Sequence, residues 1–222
     1  MREKIQDILI LVFLLPALCN ATTVAFYTDG VIQEGDEYVS VGVYNDATVD
    51  MTGGIVTDQL TTYNYSTLNA SDGVLEAIVS VEYSTVNLSG VVIIGGMTVE
   101  ESATVNMFGG NMDSLKIWSA NAANLYGGII SDYLKATSTV NIYGYGFEYN
   151  PLAGDYRGGQ LAGFWLDDTP FSIDLYYSDT PGGPIIDTWS HITLHEIPEP
   201  CTLALMALGA MRLRNQTSHM VS

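Results

Sequence analysis

The phrase STVNL at 84–88 and its close copy ATVNM at 103–107 decide the fold of this chain. Related phrases are DATVDM at 46–51, STLNA at 66–70, AANLY at 122–126 and STVNI at 138–142. One polar residue recurs in them at intervals of 19, 18, 19, 18 and 17 residues and forms what we call the polar column: Asp50, Asn69, Asn87, Asn106, Asn124 and Asn141. Such regularity indicates an internal repeat whose units stack, because one unit cannot bury its own apolar face.

Residues on either side of the polar column are apolar in every copy, as Val86 and Leu88 are around Asn87. Alternate residues of a strand face the same side, so these neighbours predict an inward stripe. The residue before the first inward position shares the outward face, and it is threonine in five of the six copies and Ala122 in the other. These threonines form what we call the threonine column: Thr48, Thr67, Thr85, Thr104 and Thr139. Stacked amides can each donate and accept a hydrogen bond, so the polar column predicts a structural ladder. A row facing a ligand and an asparagine turned inward at a corner are the alternatives.

Glycine follows the polar column by three or four places, as at 53–54 and 109–110, and permits a sharp corner. A second β-rich run then begins near an apolar residue such as Leu60 or Leu115. We predict an all-β fold, a parallel β-solenoid (β-helix) of about six coils of 17–19 residues. A sandwich of β-hairpins is the alternative. The hexapeptide pattern of left-handed coils is absent, which favours a right-handed or irregular coil.

The ends of the chain differ from the repeat. Residues 8–18 are apolar and small residues follow up to Ala21, which predicts a signal peptide over 1–21 and export. The solenoid is expected over 22–147, with a worn first coil at 22–43, and a small β-rich cap over 148–197. Strands of the cap are predicted at 160–166, 171–177 and 185–194. A short C-terminal helix within 198–214 and a disordered end at 215–222 complete the predicted organisation.

The charge balance excludes one class of partner. The chain has 25 acidic and 7 basic residues, and between residues 22 and 198 only Lys116, Lys135 and Arg157 are basic. Nucleic-acid affinity comes from basic groups that neutralise phosphates, so we expect no nucleic-acid partner. An anionic lipid surface or a polyanionic substrate is disfavoured for the same reason. Cys19 and Cys201 lie in the two end segments, so the body contains no disulfide framework.

The C-terminal segment carries a compact motif. Pro198, Glu199 and Pro200 precede the short apolar run 201–211, which ends at Arg212 and Arg214. This order resembles the PEP-CTERM sorting tail of bacterial exported proteins, and GQLAGFWLDDTP at 159–170 resembles a phrase found before that tail. The resemblance implies processing by an exosortase-type membrane enzyme, transient anchoring in the membrane through the tail, and a destination in the cell envelope, on the cell surface or in the extracellular matrix. It also implies exopolysaccharide as a companion.

Candidate chemistry is sparse. His191 and His195 on one predicted strand would stand about 13 Å apart, too far to share a metal. Asp167 and Asp168, with Asp155 and Asp174, suggest a calcium site, and an aspartate-capped turn before Thr-Pro is the alternative. We predict no catalytic residues, no metal centre and no cofactor.

Three function classes remain open from the sequence. A structural protein of the cell surface or matrix is the first, and we expect no enzymatic activity. A glycan-binding or ice-binding surface is the second, since outward threonines recur at rung spacing, although threonine is also a good strand residue. A polysaccharide-active β-helix enzyme is the third, and the few cations leave it only neutral glycans as substrates.

Overall fold

In a computed structural model, which describes residues 22–118, 122–181 and 183–198, the chain is a parallel β-solenoid of about six turns. The predicted solenoid is therefore confirmed, and consecutive copies of the repeat pair in parallel rather than as hairpins. The predicted signal peptide, C-terminal helix and disordered end lie outside the described residues.

The described strands, in chain order, are β1 (Thr22–Phe26), β2 (Gly30–Ile32), β3 (Glu37–Val43), β4 (Thr48–Thr62), β5 (Thr67–Ser80), β6 (Thr85–Leu88), β7 (Val92–Val99), β8 (Thr104–Met107), β9 (Asn111–Ile117), β10 (Ala123–Leu125), β11 (Ile129–Ala136), β12 (Val140–Asn150), β13 (Arg157–Phe164), β14 (Pro170–Ser178), β15 (Ile186–Asp187) and β16 (Ile192–Glu196). A 3-10 turn (Trp189–His191) separates β15 from β16.

The repeated phrases lie directly over one another. Asn69 of β5 pairs in parallel with Asn87 of β6, which pairs with Asn106 of β8. Below them, β2 adds a rung to β4, while β1 pairs with β3 on the neighbouring side. Residues 22–43 therefore supply strands to the lowest coils, and the residues of the polar column lie in register from Asp50 to Asn141.

Each coil contains further paired segments beyond the repeated phrase. In β4 these are 55–56 and 59–62, which pair with β5 across a register shift. In most copies the first corner turns at a glycine with positive φ, for example +109° at Gly73 and +89° at Gly110, whereas φ is not positive at Gly90 of the third copy. A Cβ on Gly110 would lie 2.5 Å from the carbonyl oxygen of Val91 in the coil below. Glycine is therefore required there for both its conformation and its small size.

A second corner precedes each threonine of the first four coils and was not predicted. Its residue in the left-handed region is Asn45, Asn64, Glu82 or Glu101, with φ between 54° and 62°. Asparagine tolerates this region, whereas glutamate rarely occupies it. Glu82 has a compensating contact, because its carboxylate accepts a hydrogen bond from the backbone N–H of Asn64 at 2.7 Å.

The interior of the rod is a stack of apolar columns. The predicted inward residues on either side of the polar column are all buried, which confirms their assignment: Val49, Met51, Leu68, Ala70, Val86, Leu88, Val105, Met107, Ala123, Leu125, Val140 and Ile142. A buried hydroxyl cluster joins this core, with Thr62 Oγ1 3.1 Å from Ser80 Oγ and 3.0 Å from Ser84 Oγ. No buried side-chain nitrogen or oxygen of the described residues lacks a hydrogen-bond partner.

The cap grows out of the last coil. β12 continues beyond Ile142 and pairs antiparallel with β13, which pairs antiparallel with β14. β13 and β14 lie near the predicted strands at 160–166 and 171–177. β16 then returns in parallel on β12, so the cap places one more rung over the repeated phrases.

The single predicted strand at 185–194 is wrong, because the 3-10 turn interrupts it. Buried Thr188 holds that turn: its Oγ1 donates to the carbonyl oxygen of Tyr176 at 2.8 Å and accepts from the N–H of Ala136 at 3.1 Å. Trp189 within the turn stacks on Tyr149 with ring centroids 3.8 Å apart. These contacts outweigh the local strand propensity.

Candidate functional site: the polar and aromatic face of the rod

The polar column forms a continuous chain of hydrogen bonds along one outward face. Each asparagine donates from Nδ2 to the Oδ1 of the residue in the coil below, over 2.8–2.9 Å. The chain starts at Asp50 and runs through Asn69, Asn87, Asn106 and Asn124 to Asn141. The asparagines are half-buried while their sequence neighbours are buried, so the amides lie on the surface and not at an inward corner.

The lowest position of this ladder is occupied by an aspartate, Asp50, and not by an asparagine. Asp50 needs only to accept a hydrogen bond from Asn69, since Val31 is its neighbour in the rung below. A carboxylate is an acceptor only, whereas every higher position must both donate and accept. The ladder therefore has a direction, with the acid at its lower end.

We expect Asn87→Asp to destabilise the rod by about 2 kcal/mol, because the new carboxylate cannot donate and would face the Oδ1 of Asn69. Thermal melts at neutral pH would measure the loss. Asp50→Asn is the matched control, since an amide at the lower end keeps the acceptor that Asn69 uses, and it should melt like the parent. Equal effects of the two changes would contradict the ladder.

His195 closes the upper end of the ladder. Its Nε2 lies 3.1 Å from Oδ1 of Asn141, and its ring stacks on Tyr143 with centroids 4.4 Å apart. The prediction that His191 and His195 share one strand is wrong, because His191 belongs to the 3-10 turn. His195 therefore has a structural partner that comes from 54 residues earlier in the chain.

The threonine column lies beside the ladder on the same face. Thr48, Thr67, Thr85 and Thr104 pair in register on successive strands and are half-buried. Thr139, directly before β12, is exposed. The structure therefore brings the predicted outward threonines and asparagines together in two parallel rows.

A third row on this face was not predicted. Two places after the polar column stand Phe108, Tyr126 and Tyr143, which we call the ring column, and His195 continues it. Phe108 stacks on Tyr126 at 5.0 Å between centroids and 8° between planes, and Tyr126 stacks on Tyr143 at 4.4 Å and 15°. The signal was present as an aromatic residue at the same place in three consecutive copies, but the first three copies carry Thr52, Ser71 and Ser89 there.

A shallow trough lies where the rings stop. Its volume is about 320 Å³, and Phe108 forms part of its lining. The remaining lining comes from the polar column (Asp50, Asn69 and Asn87), from the small residues that replace the rings (Thr52, Ser71 and Ser89) and from Ala70. The face thus changes halfway along the rod from a stack of rings to a polar recess.

The three basic residues of the described chain are all engaged elsewhere. Lys135 lies over the rings of Trp118 and Tyr176, at 4.5 and 4.4 Å from their centroids. Lys116 lies 5.8 Å from the centroid of Tyr133. Arg157 pairs with Asp179 at 3.0 Å, and that contact lowers the pKa of the Asp179 carboxyl. None of these cations lines the trough.

The carboxylates of the calcium hypothesis have other roles. Asp167 caps a turn by accepting the backbone N–H of Thr169, which lowers the pKa of Asp167. Asp174 accepts hydrogen bonds from Gln160 and from the N–H of Asp155, while Asp168 accepts one from a tyrosine hydroxyl. Among the residues that the structure describes, no group of three potential ligands could hold a metal ion. The four aspartates of the calcium hypothesis therefore do not form a calcium site in the described structure.

A tyrosine of the cap provides a test by pH. The hydrogen bond that Tyr156 donates to Asp132 is the main cause that raises the pKa of Tyr156 to about 12. Tyrosine in the unfolded chain has a pKa of about 10. The stabilisation of the folded state by this hydrogen bond is therefore fully present below pH ~10 and is lost as pH rises through the folded-state pKa of Tyr156.

We expect Asp132→Asn to move the ionisation of one tyrosine back toward its ordinary pKa in an ultraviolet titration of the folded protein. Asp113→Asn is the control, because Asp113 accepts a bond from Ser131 and not from a tyrosine. A titration curve that Asp132→Asn leaves unchanged would contradict this assignment.

The predicted sorting motif is not part of this face. Only Pro198 belongs to the described residues, and Glu199, Pro200, Arg212 and Arg214 lie outside them. In the described part of the chain, no helix has the length and apolar character needed to cross a membrane. Comparison of the chain with family models, curated proteins and solved structures gives no match.

Proposed function

We propose that this protein is an exported structural protein of the bacterial cell surface or extracellular matrix, delivered by its C-terminal tail. The observation that carries the proposal is the uninterrupted ladder from Asp50 to His195, which makes the molecule a regular rod. A rod of stacked coils presents long lateral surfaces built from a short repeated unit, as structural and binding scaffolds do.

The chemistry of the rod suits such a location. Its body contains no cysteine, so its stability does not depend on the redox state of the compartment. The excess of acidic residues favours solubility and discourages adhesion to anionic surfaces. Packing and hydrogen bonds hold the coils together without a disulfide in the body, which is consistent with a passive and durable role.

The tail supports the destination. β16 ends at Glu196, so the motif that resembles a PEP-CTERM tail begins directly after the uppermost rung. The apolar run 201–211 would hold the chain transiently at the membrane until an exosortase-type enzyme processes it. This is the partner that we propose.

A sorting assay tests the proposal. The full chain would be expressed in a bacterium that carries an exosortase-type enzyme, beside a variant with Pro198, Glu199 and Pro200 changed to alanine. We expect the parent in the envelope or medium without its C-terminal residues, and the variant in the inner membrane with an intact tail by mass spectrometry. Pro184→Ala, at an exposed proline of the cap, is the control. Identical export and processing of parent and triple variant would refute the proposal.

The in-register threonine column supports a second candidate, an ice-binding surface. Thr48, Thr67, Thr85 and Thr104 repeat on successive rungs, about 4.8 Å apart. An ice-recrystallisation assay would compare the parent with a variant in which Thr85 and Thr104 become bulky residues. Inhibition by the parent that the variant loses would support this candidate, and no inhibition, or inhibition that survives in the variant, would end it.

A further inference from the structure

At the lower end of the ring column, one face of the last ring, Phe108, is not covered by another ring of the column. Tyr126 covers one face of Phe108, whereas the next rung on the other side carries Ser89 instead of a ring. Phe108 is 55% exposed and lines the trough. The ring positions of the three rungs below Phe108 carry Ser89, Ser71 and Thr52, so the trough extends along the rod and is bounded at its upper end by an aromatic face. We call the part of the trough over Ser89 the slot.

An aromatic face selects for a flat group with polarised C–H bonds. The π-system is negative on its face, so it attracts the weakly positive hydrogens of a ring that lies parallel to it. A pyranose presents such C–H hydrogens on its flat side and hydroxyl groups around its edge. The slot below Phe108 offers a sugar ring this aromatic boundary.

Polar groups along the wall of the trough can form hydrogen bonds with the hydroxyl groups at the edge of a sugar ring. The amide nitrogens of Asn69 and Asn87 each carry two hydrogens, and the ladder uses one of them. Ser89 adds an exposed hydroxyl that can both donate and accept. Sites for small ligands combine apolar surface with a few placed polar groups in this way. An aromatic side chain from a partner would leave these groups unused.

The local charge restricts the ligand further. Asp50 is the only ionisable side chain that lines the trough, and the three cations of the described chain lie in other contacts. A uronate, sulfate or phosphate would meet a carboxylate and no compensating cation. The ligand that fits is therefore uncharged.

We infer that the trough below Phe108 binds a pyranose unit of a neutral glycan. The inference deepens the proposed surface role, on which it rests for its biological meaning, by naming the class of matrix polymer that the rod would hold. Binding by purified protein does not depend on export or on tail processing, so a failure of either idea can be told from a failure of the other.

Two variants test the site in different ways: one removes its aromatic face and the other fills its space. Phe108→Ala removes the aromatic face and should weaken binding about tenfold or more. Ser89→Tyr alone would move the aromatic boundary down by one rung, to face Ser71. The second variant therefore changes Thr52, Ser71 and Ser89 together to tyrosine, which should extend the stack, preserve the fold and abolish binding because the trough is filled. Tyr65→Ala is the matched control, since Tyr65 is 67% exposed and stacks on Tyr83 but does not line the trough.

Affinity gel electrophoresis of the full chain would use hydroxyethyl cellulose, dextran and galactomannan as neutral probes and alginate as a polyanion. We expect at least one neutral polymer to retard the parent and Tyr65→Ala equally, with retardation lost in Phe108→Ala and in the triple tyrosine variant, and no retardation by alginate. Three results would overturn the inference: no retardation by any neutral polymer, slot variants that bind like the parent, or self-association dependent on Phe108, which would assign the slot to a second copy. Thermal melts verify that each variant is folded.

Discussion

Replacing Val86 with aspartate is expected to destabilise the rod by about 5 kcal/mol, because it buries a charge that no neighbouring group can pair. Val86 is fully buried between Leu68 of the coil below and Val105 of the coil above. An introduced carboxylate there would either remain ionised without solvent or take up a proton, and both outcomes cost stability.

A melting experiment at neutral pH would measure this effect. For a chain of this size the loss corresponds to a drop in Tm of about 10–20 °C. Thr85→Asp is the matched control, because it places the same charge one residue away on the outward face, and it should cost less than about 1 kcal/mol. Similar melting of the two variants would contradict the assignment of inward and outward faces.

The second large effect is expected at a corner glycine. Gly110→Ala should cost about 3 kcal/mol, because the backbone there has φ of +89° and the new Cβ would lie 2.5 Å from the carbonyl oxygen of Val91. The alanine can fit only if the two coils move apart, which breaks the close approach on which the stacking depends.

Gly35→Ala separates the two causes of that loss. Gly35 has nearly the same φ, +91°, but a Cβ added there meets no atom within 4 Å. The control should therefore show the conformational cost alone, about 1 kcal/mol. Chemical denaturation of both variants gives the comparison. If Gly110→Ala costs no more than Gly35→Ala, the coils do not approach each other as closely as described.

The repeat itself was predictable because stacking imposes the same demand on every coil. An inward position such as Val86 must be apolar in each copy, and a ladder position such as Asn87 must donate and accept in each copy. Demands that recur leave a visible column in the sequence. The fold class, the inward faces and the polar column could therefore be read from one chain.

Features that occur once, or only in part of the rod, could not be predicted in the same way. The ring column occupies three consecutive copies, and Ser71 and Ser89 hide it in the others. His195 reaches Asn141 only because the cap folds back, and no periodicity marks a contact of that kind. The turn at Thr188 depends on hydrogen bonds to distant backbone groups, so local strand propensity gave the wrong element there.

The trough follows from the difference between these two kinds of feature. The ladder is regular along the rod, whereas the row beside it changes from small polar residues to rings between Ser89 and Phe108. A uniform rod would offer the same surface at every rung. In this rod, the change from small polar residues to rings creates a defined position at which a ligand can be recognised.

Distances between spin labels test the stacking of the coils most directly. With Cys19 and Cys201 replaced by serine, one label at Thr139 would be paired in turn with a label at Thr85, Thr67 or Thr48. The account predicts separations of about 14, 19 and 24 Å, because each further coil adds one rung of about 4.8 Å. Separations that fail to grow by equal steps would contradict the parallel stack.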